Sequence, residues 1–365
     1  MAEDSVEPLC VGPIVLPNRV FLAPMSGVTD APFRRLAARL GAGVVVSEMI
    51  ASAYLAEGRR DAHRRVDGDG LKLNVVQLAG CEARWMAEGA RIAQASGADI
   101  IDINMGCPAK HVTGAQSGSA LMRDLDHALS LIDATVGAVT VPVTLKMRLG
   151  WDDASRNAPE LARRAQAAGI RLITVHGRTR CQFYNGTADW SAVRAVKQAV
   201  GIPVVVNGDV ASYDQAIAAL RQSGADAVMV GRGANGRPWF PGQLAHYLAS
   251  GERRTDPGVR EQLAIVVALY EEMLSHHGTR IGVRHARKHL GWALDVAAET
   301  TGASAQALKA ARARVLPRDN PAEVKRLLAE AYDAFAWGAA AAWRAAAAWR
   351  AAAAWRAAAA WRAAA

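Results

Sequence analysis

Short β-branched runs alternate with amphipathic stretches eight times over roughly 230 residues, and few folds accommodate that pattern. Strands are expected at Val20–Ala23, Val44–Ser47, Leu73–Leu78, Ile100–Ile103, Val143–Lys146, Leu172–Val175, Val204–Val206 and Ala227–Val230. Between them lie expected helices at Ala31–Leu40, Glu82–Ser96, Asp126–Val136, Glu160–Ala168, Ser191–Ala199 and Tyr213–Gln222. Helix endings share a grammar: Leu40-Gly41-Ala42-Gly43, Ser96-Gly97-Ala98-Asp99, Ala168-Gly169-Ile170 and Ser223-Gly224-Ala225-Asp226. Glycine there permits the left-handed cap from which the chain turns into the next strand. Eight such units predict an α/β fold, a closed (β/α)8 TIM barrel, which typically needs about 250 residues. A doubly wound open sheet would want a glycine-rich dinucleotide turn after its first strand, where Ala23-Pro24-Met25-Ser26-Gly27 stands instead.

Around Gly251 the pattern changes to helices alone. Val259–His276 reads as one helix, with apolar residues at Leu263, Val266, Val267, Tyr270 and Leu274. Shorter helices are expected at Val283–Leu294, Ala305–Val315 and Ala322–Phe335. The expected division is therefore a barrel over residues 1–250, a smaller all-α helical domain over 251–335, and a low-complexity tail over 336–365. That tail repeats Ala-Ala-Ala-Ala-Trp-Arg, with tryptophans at 337, 343, 349, 355 and 361. A six-residue period turns each tryptophan by about 240° on a helix, so no single apolar stripe results. It reads as an extraneous repeat, outside the functional argument.

The formal net charge is +9, of which the tail's four arginines (Arg344, Arg350, Arg356 and Arg362) account for nearly half. The remaining surplus suits a polyanionic partner without requiring one. Basic residues gather in the helical part, at Arg280, Arg284, His285, Arg287, Lys288 and His289. The i, i+4 spacing of Arg284 and Lys288 fits either a solvated face or a binding face. No run reaches membrane-spanning length and the start, Met1-Ala2-Glu3-Asp4, is acidic, so no membrane association is expected. Cys10, Cys81, Cys107 and Cys181 lack paired metal-ligand spacing. A reducing cytoplasm, with no metal and no disulfide framework, is the expected setting.

Chemistry concentrates where the strands end. Ile100-Ile101-Asp102-Ile103-Asn104-Met105-Gly106-Cys107-Pro108-Ala109-Lys110 is a strand that stops at a Gly-Cys-Pro turn, followed by a polar stretch from His111 to Ser119. An arbitrary cysteine beside a strand is most often packing. Here Gly106 and Pro108 fix the backbone on both sides and the polar loop cannot bury the thiol. Other strand ends carry Pro24-Met25, Gln77, Lys146 with Arg148, His176 with Arg178, Asn207-Gly208-Asp209 and Gly231-Arg232. Active sites of barrels form at that face, and the loops after strands seven and eight commonly hold phosphate. Asn207-Gly208-Asp209 and Gly231-Arg232-Gly233 offer bare glycine amides and a guanidinium for a phosphorylated cofactor or substrate. Gln77 and Lys146 would then reach its ring, an amide against a pyrimidine-like edge and a cation against negative charge on a reduced flavin.

These residues resemble the tRNA-dihydrouridine synthases, most closely the bacterial B-type members. The matching stretches are Ala23-Pro24-Met25, Val46-Ser47-Glu48-Met49, Asp102 to Lys110, Gly118-Ser119-Ala120-Leu121, Val143 to Arg148, Val175-His176-Gly177-Arg178-Thr179-Arg180, Val206-Asn207-Gly208-Asp209, Met229-Val230-Gly231-Arg232 and Gly236-Arg237-Pro238-Trp239. The similarity runs from about Pro13 to Phe335, includes Arg287-Lys288-His289, and leaves only the tail without a counterpart. It implies a barrel that holds FMN and uses NADPH to reduce the C5–C6 double bond of a uridine in the tRNA D-loop. By position, Pro24, Met25, Ser26, Gln77, Lys146, His176, Asn207, Gly208, Asp209, Gly231 and Arg232 would hold FMN. Cys107 would donate the proton, while Asn104 and Arg148 would face the uracil. Family members commonly have alanine where Ser26 stands, a difference of little weight if the backbone makes that contact.

That chemistry suits these residue types. Hydride delivered to C6 leaves enolate-like charge at C5, so an acid must sit on the opposite ring face. An unperturbed thiol, with a pKa of about 8.5, is mostly protonated at neutral pH and suits the task. The base must leave its stack, and the basic helical domain would grip phosphates while it does. His111–Ser119 would close over the base as a lid. Two rivals are a flavin barrel acting on a free pyrimidine and a non-catalytic RNA-binding barrel. The first has no need of a basic helical domain, and the second leaves Cys107 dispensable. A monomer is expected.

Overall fold

The computed structural model describes residues 8–337 apart from Ala115, so the tail from 338 onward lies outside the described residues. Among these residues the chain divides into two compact units. One runs to Ala234 and takes in Pro238–Thr255; the other holds Asn235–Arg237 and the residues from Asp256 on.

The first unit is a closed parallel barrel. Its entry is a hairpin, β1 (Cys10–Val11) and β2 (Ile14–Val15), that the sequence reading did not anticipate. Leu9, Val11 and Leu16 pack against Phe21, Val44, Val75, Ile100, Leu172, Val205 and Ala227, near the strands' first residues. The hairpin therefore plugs the N-terminal end of the barrel, leaving chemistry to the other end. The barrel strands are β3 (Val20–Leu22), β4 (Val44–Val45), β5 (Ile50–Ala51), β6 (Val75–Ala79), β7 (Ile100–Met105), β8 (Val143–Arg148), β9 (Ile173–His176), β10 (Val204–Asn207) and β11 (Ala227–Val230).

Their order is β4-β3-β11-β10-β9-β8-β7-β6-β5, all parallel. β4 falls within the second strand expected at Val44–Ser47, whereas β5 lies beyond it, and together the two fill one place in the ring. A bridge from Val46 to Val75 joins the ring between them. The break has a local cause: Ser47 turns its hydroxyl to the Gln77 amide (2.9 Å) and the Glu48 carbonyl (3.0 Å). A serine that bonds backbone in this way competes with the sheet ladder. Counted so, the ring has the eight strands of a TIM barrel.

The helices between strands fall close to expectation. Asp30, Asp124 and Ser212 cap three of them by accepting from Phe33, His127 and Gln215 amides. Gly41, Gly97, Gly169 and Gly224 all take positive φ at the helix ends.

The second unit is helical: Val259–His277, Thr279–Thr301, Ala305–Val315 and a last helix over 321–337, where one was expected at Ala322–Phe335. The helix expected at Val283–Leu294 is longer than predicted, because it starts directly after Gly278 and is stopped only by Gly302. Val266, Leu269, Tyr270 and Met273 form the buried stripe of the first helix. On the second, Arg280, Arg284 and Lys288 lie one turn apart and exposed, whereas His289 is buried and Arg287 pairs with Asp319 at 2.8 Å. Among the described residues no helix is long and apolar enough to cross a membrane.

Candidate active site

Alternation along β7 sends Ile101, Ile103 and Met105 to one face and Asp102 and Asn104 to the other, toward the barrel axis. Asn104 then does the work of a turn residue. Its Oδ1 accepts from the amides of Gly106 (3.1 Å) and Cys107 (2.9 Å), and its Nδ2 donates to Gln77 Oε1 (2.8 Å). The Gly106 carbonyl accepts from Arg148 Nε (2.8 Å). The Cys107 carbonyl accepts from Ser119 twice, through N (3.1 Å) and Oγ (2.8 Å). Every backbone polar group of Gly106-Cys107 is thus held, and the thiol is half-buried beside them.

Gly118 makes this packing possible. It sits at φ +60°, and a Cβ there would lie 2.8 Å from the Cys107 carbonyl oxygen and 3.2 Å from Cys107 Cβ. The His111–Ser119 stretch, expected as a lid, is anchored at both ends. It begins within a helical turn (Lys110–Thr113) and ends in a 3-10 segment (Gly118–Arg123), with Val112, Ser117 and Ser119 buried.

Arg148, expected to face the uracil, holds backbone at the mouth. Only 2% exposed, it donates from Nε to Gly106 O, and from Nη1 to Thr179 O (2.8 Å) and Phe183 O (2.9 Å). It ties the Cys107 turn to the loop after β9. Burial pushes its pKa down to about 10. Lys146, one strand residue pair away, donates to Asn207 Oδ1 (3.1 Å), whose Nδ2 donates to the Met229 carbonyl (2.9 Å). Burial, helped by the Arg148 charge and opposed by Asp102, pushes Lys146 down to about 8. His176 is driven well below its ordinary value, first by burial and then by Lys146, Arg148, Arg178 and Arg232, so it stands neutral at pH 7. Its Nδ1 is buried without a hydrogen-bond partner.

The far side of the mouth is built on Arg178, 1% exposed, and Asp209. Two Arg178 nitrogens meet the two Asp209 oxygens at 3.0 and 2.5 Å, and the same guanidinium also donates to the Asn185 and Gly186 carbonyls. Asp209 further accepts from Ala188 N (2.8 Å) and from Arg232 Nη2 (3.1 Å). Burial pulls its carboxyl upward, but the Arg178 and Ala188 hydrogen bonds and both guanidinium charges together hold it below the ordinary range. The Asp209 carboxylate is thereby spent on aiming Arg232, whose side chain is 59% exposed.

Gly208, at φ +119°, carries its carbonyl to Trp190 Nε1 (2.8 Å), and a Cβ there would meet Ala188 at 2.7 Å. At Gly231 a Cβ would find Ala23 and Met25 only at 3.7 Å, so there is space on the side of this glycine where a side chain would stand. Met25 N donates to Thr29 Oγ1 (2.8 Å), Pro24 is half-buried and Ser26 is exposed. The mouth therefore gathers Pro24–Ser26, Gln77, Asn104, Cys107, Lys146, Arg148, His176, Asn207–Asp209 and Gly231-Arg232 on one face of the barrel.

Residues 21–325 match the family described as dihydrouridine synthase (Dus). The chain belongs to that family. It is 55% identical over 320 residues to a probable tRNA-dihydrouridine synthase of Rhizobium leguminosarum bv. phaseoli, covering 87% of this chain and 96% of the relative. With tRNA-dihydrouridine synthase B of Xanthomonas campestris pv. campestris it shares 49% over 283 residues, 77% of this chain and 85% of that one. Among solved structures it is similar to histamine dehydrogenase from Rhizobium sp. 4-9, with a TM-score of 0.52 at 16% identity over 79% of this chain and 51% of the other. A 2-naphthoyl-CoA reductase complex gives a TM-score of 0.53 at 13% identity over 69% and 53%. At such identities the likeness is one of fold.

In this dihydrouridine synthase, four side chains that shape the mouth escaped the sequence reading as site residues. Arg178 was visible as a strand-end cation but not as the partner of Asp209. Asp102 and Thr144 share a buried contact of 2.6 Å, signalled only by an acid between isoleucines. Tyr184 places its ring between Arg148 and Arg232, 5.6 and 5.3 Å from the guanidinium carbons, on a loop whose sequence carries no periodicity.

Proposed function

We propose that the protein is a tRNA-dihydrouridine synthase: with FMN as cofactor and NADPH as reductant it reduces the C5–C6 double bond of a D-loop uridine, and Cys107 donates the proton. The observation that carries this reading is the fully held Gly106-Cys107 turn standing at the same barrel mouth as Arg232 and the Gly208 and Gly231 backbone. The residues present fit a flavin phosphate. Gly231 leaves space where a side chain would stand, Arg232 presents donors held in place by Asp209, and the surrounding charge is positive. Pro24, Met25, Ser26, Gln77, Lys146, His176, Asn207, Gly208 and Asp209 would complete the cradle. When bound, a reduced flavin supplies hydride to the substrate.

The chain's own residues do the rest. Cys107 holds a proton on the half-buried thiol and gives it to carbon. Lys146 keeps a cation beside the site at neutral pH, suited to negative charge developing on a uracil oxygen or on the cofactor ring. Neutral His176 offers a hydrogen bond without adding charge. Asn104 and Arg148 line the substrate side while holding the cysteine turn. The exposed Arg280, Arg284 and Lys288 row suits RNA phosphates and makes the helical unit the tRNA-gripping domain. A monomer working in the cytoplasm meets these requirements.

The test is to incubate purified, FMN-loaded protein with unmodified tRNA transcript and NADPH and to measure dihydrouridine by mass spectrometry of nucleosides. Dihydrouridine confined to D-loop positions supports the reading. Turnover of free uracil with none on tRNA would replace it with a small-molecule reductase, and no bound flavin would overturn it.

A further inference from the structure

Three strands of the barrel carry a line of polar groups beneath Cys107. Gln77, Asp102 and Thr144 are register neighbours on β6, β7 and β8. Asp102 is buried and accepts twice, from Gln77 Nε2 (2.7 Å) and Thr144 Oγ1 (2.6 Å). Gln77 Oε1 accepts from Asn104 Nδ2, and Asn104 Oδ1 accepts from the two amides of the cysteine turn. An amide side chain can serve either way round, since its oxygen and nitrogen differ little in shape. The two ends of this chain cannot. A backbone N–H only donates; burial raises the Asp102 pKa, but with its proton off, or carried on the oxygen that faces Thr144, the oxygen that faces Gln77 accepts. The direction of both amides between them is therefore fixed by the ends.

We propose that Asp102 is a positioning residue for Cys107: its carboxyl oxygen facing Gln77 sets the direction of the Gln77–Asn104 amide chain, and that direction holds the Gly106 and Cys107 amides in place. Turning Gln77 over would present an N–H to Asn104, which would then present its own N–H to two backbone donors. The turn would lose both bonds at once. Thr144 touches the same carboxylate without belonging to the chain, which makes it a control for stability. What the thiol does for uridine rests on the function proposed above; how the thiol is held does not.

The test uses full-length, flavin-loaded protein and two readouts. One is the rate of iodoacetamide alkylation at Cys107, read by peptide mass spectrometry with exposed Cys181 as internal standard. The other is single-turnover reduction of tRNA. Asp102→Asn, whose amide can face Gln77 either way, should change Cys107 alkylation at least about three-fold and slow uridine reduction about ten-fold. NADPH reduction of the flavin should stay within about two-fold of the parent rate. Thr144→Val, of similar destabilisation, should leave Cys107 alkylation unchanged. The double variant Gln77→Glu with Asp102→Asn moves the carboxylate one link along and again offers Asn104 an acceptor, so alkylation should return toward the parent rate.

Unchanged Cys107 alkylation in Asp102→Asn overturns the proposal. So does an equal change in Thr144→Val, or no recovery in the folded double variant. If Asp102→Asn does not fold, Gln77→Met breaks the same chain at its next link and should likewise change Cys107 alkylation at least about three-fold, with alkylation the only readout because Gln77 also belongs to the proposed cradle. If the parent protein fails to reduce tRNA, the function above falls while the alkylation arm still decides this one.

Discussion

The two halves of the barrel mouth are built on opposite plans. On the β6–β8 side, Gln77, Asp102, Asn104 and Arg148 are buried and bonded to one another or to backbone carbonyls. On the β9–β11 side, Arg232 stands more than half exposed, Gly231 leaves space where a side chain would stand and His176 keeps a nitrogen without a partner. A half with saturated hydrogen bonds holds one group still, because moving it breaks several bonds together. A half with donors left over is prepared to receive an anion. We read the first as the side that holds the cysteine turn and propose the second as the side that receives the cofactor's phosphate, a division that can be broken by variants that fail to stay on their own side.

The largest effect is expected from Cys107→Ala, which should lower uridine reduction by about 10²–10⁴-fold. Flavin content and flavin reduction by NADPH should match the parent protein, since no atom removed belongs to the β9–β11 side. Loss of the flavin along with activity would mean that the halves are one unit. Next comes Gly118→Ala. A methyl 2.8 Å from the Cys107 carbonyl, at positive φ, should cut reduction about ten-fold and stability by about 1–2 kcal/mol, seen as a lower Tm. Unchanged flavin affinity in that variant would sharpen the division, and unchanged turnover would show that the cysteine turn tolerates displacement.

On the other side, Arg232→Gln should weaken FMN binding about ten-fold, measured by quenching of flavin fluorescence. Alkylation of Cys107 should not move. An effect of equal size on both readouts would again erase the contrast.

How far this arrangement could be read from sequence follows the same line. The barrel, its glycine-ended helices and the polar residues at its strand ends are legible, because period and punctuation are local properties of the chain. Asn207-Gly208-Asp209 and Gly231-Arg232 could be assigned to an anion by residue type alone. The saturated half could not be resolved in that way. Arg148 reads from sequence as a strand-end cation, but its three carbonyl partners come from loops after β7 and β9 and leave no local signal. Asp102 matters through Gln77, twenty-five positions earlier, and no local pattern couples them. The entry hairpin escaped for a related reason, since two-residue strands carry no period.

Lys146 lies between the halves and gives a pH signature. With its pKa lowered to about 8 by burial and by Arg148, it is charged at pH 7 and loses that charge as pH rises past 8. If its cation stabilises developing negative charge, the single-turnover rate should decline above about pH 8, and Lys146→Met should be several-fold slower with that decline removed. A decline that survives the substitution would assign the titration to another group.

The smallest expected effect concerns acid stability of the ligand-binding half. Asp209 has a folded-state pKa below its ordinary value, held there against burial by Arg178, Ala188 N and Arg232. Between the folded and ordinary values the unfolded chain binds more protons than the folded one, so stability must fall as pH falls through that window. The contribution is fully present above the ordinary carboxylate value near 4 and disappears below the folded value. Asp209 is partly exposed, so solvent screens the pair and the effect is modest. Urea unfolding of parent and Asp209→Asn proteins between pH 6 and pH 3 should give a stability gap that is constant at the upper end and closes toward the lower. A gap that stays constant to pH 3 would mean that Arg178 is held by the Asn185 and Gly186 carbonyls alone, and that the aim of Arg232 does not depend on the charge of Asp209.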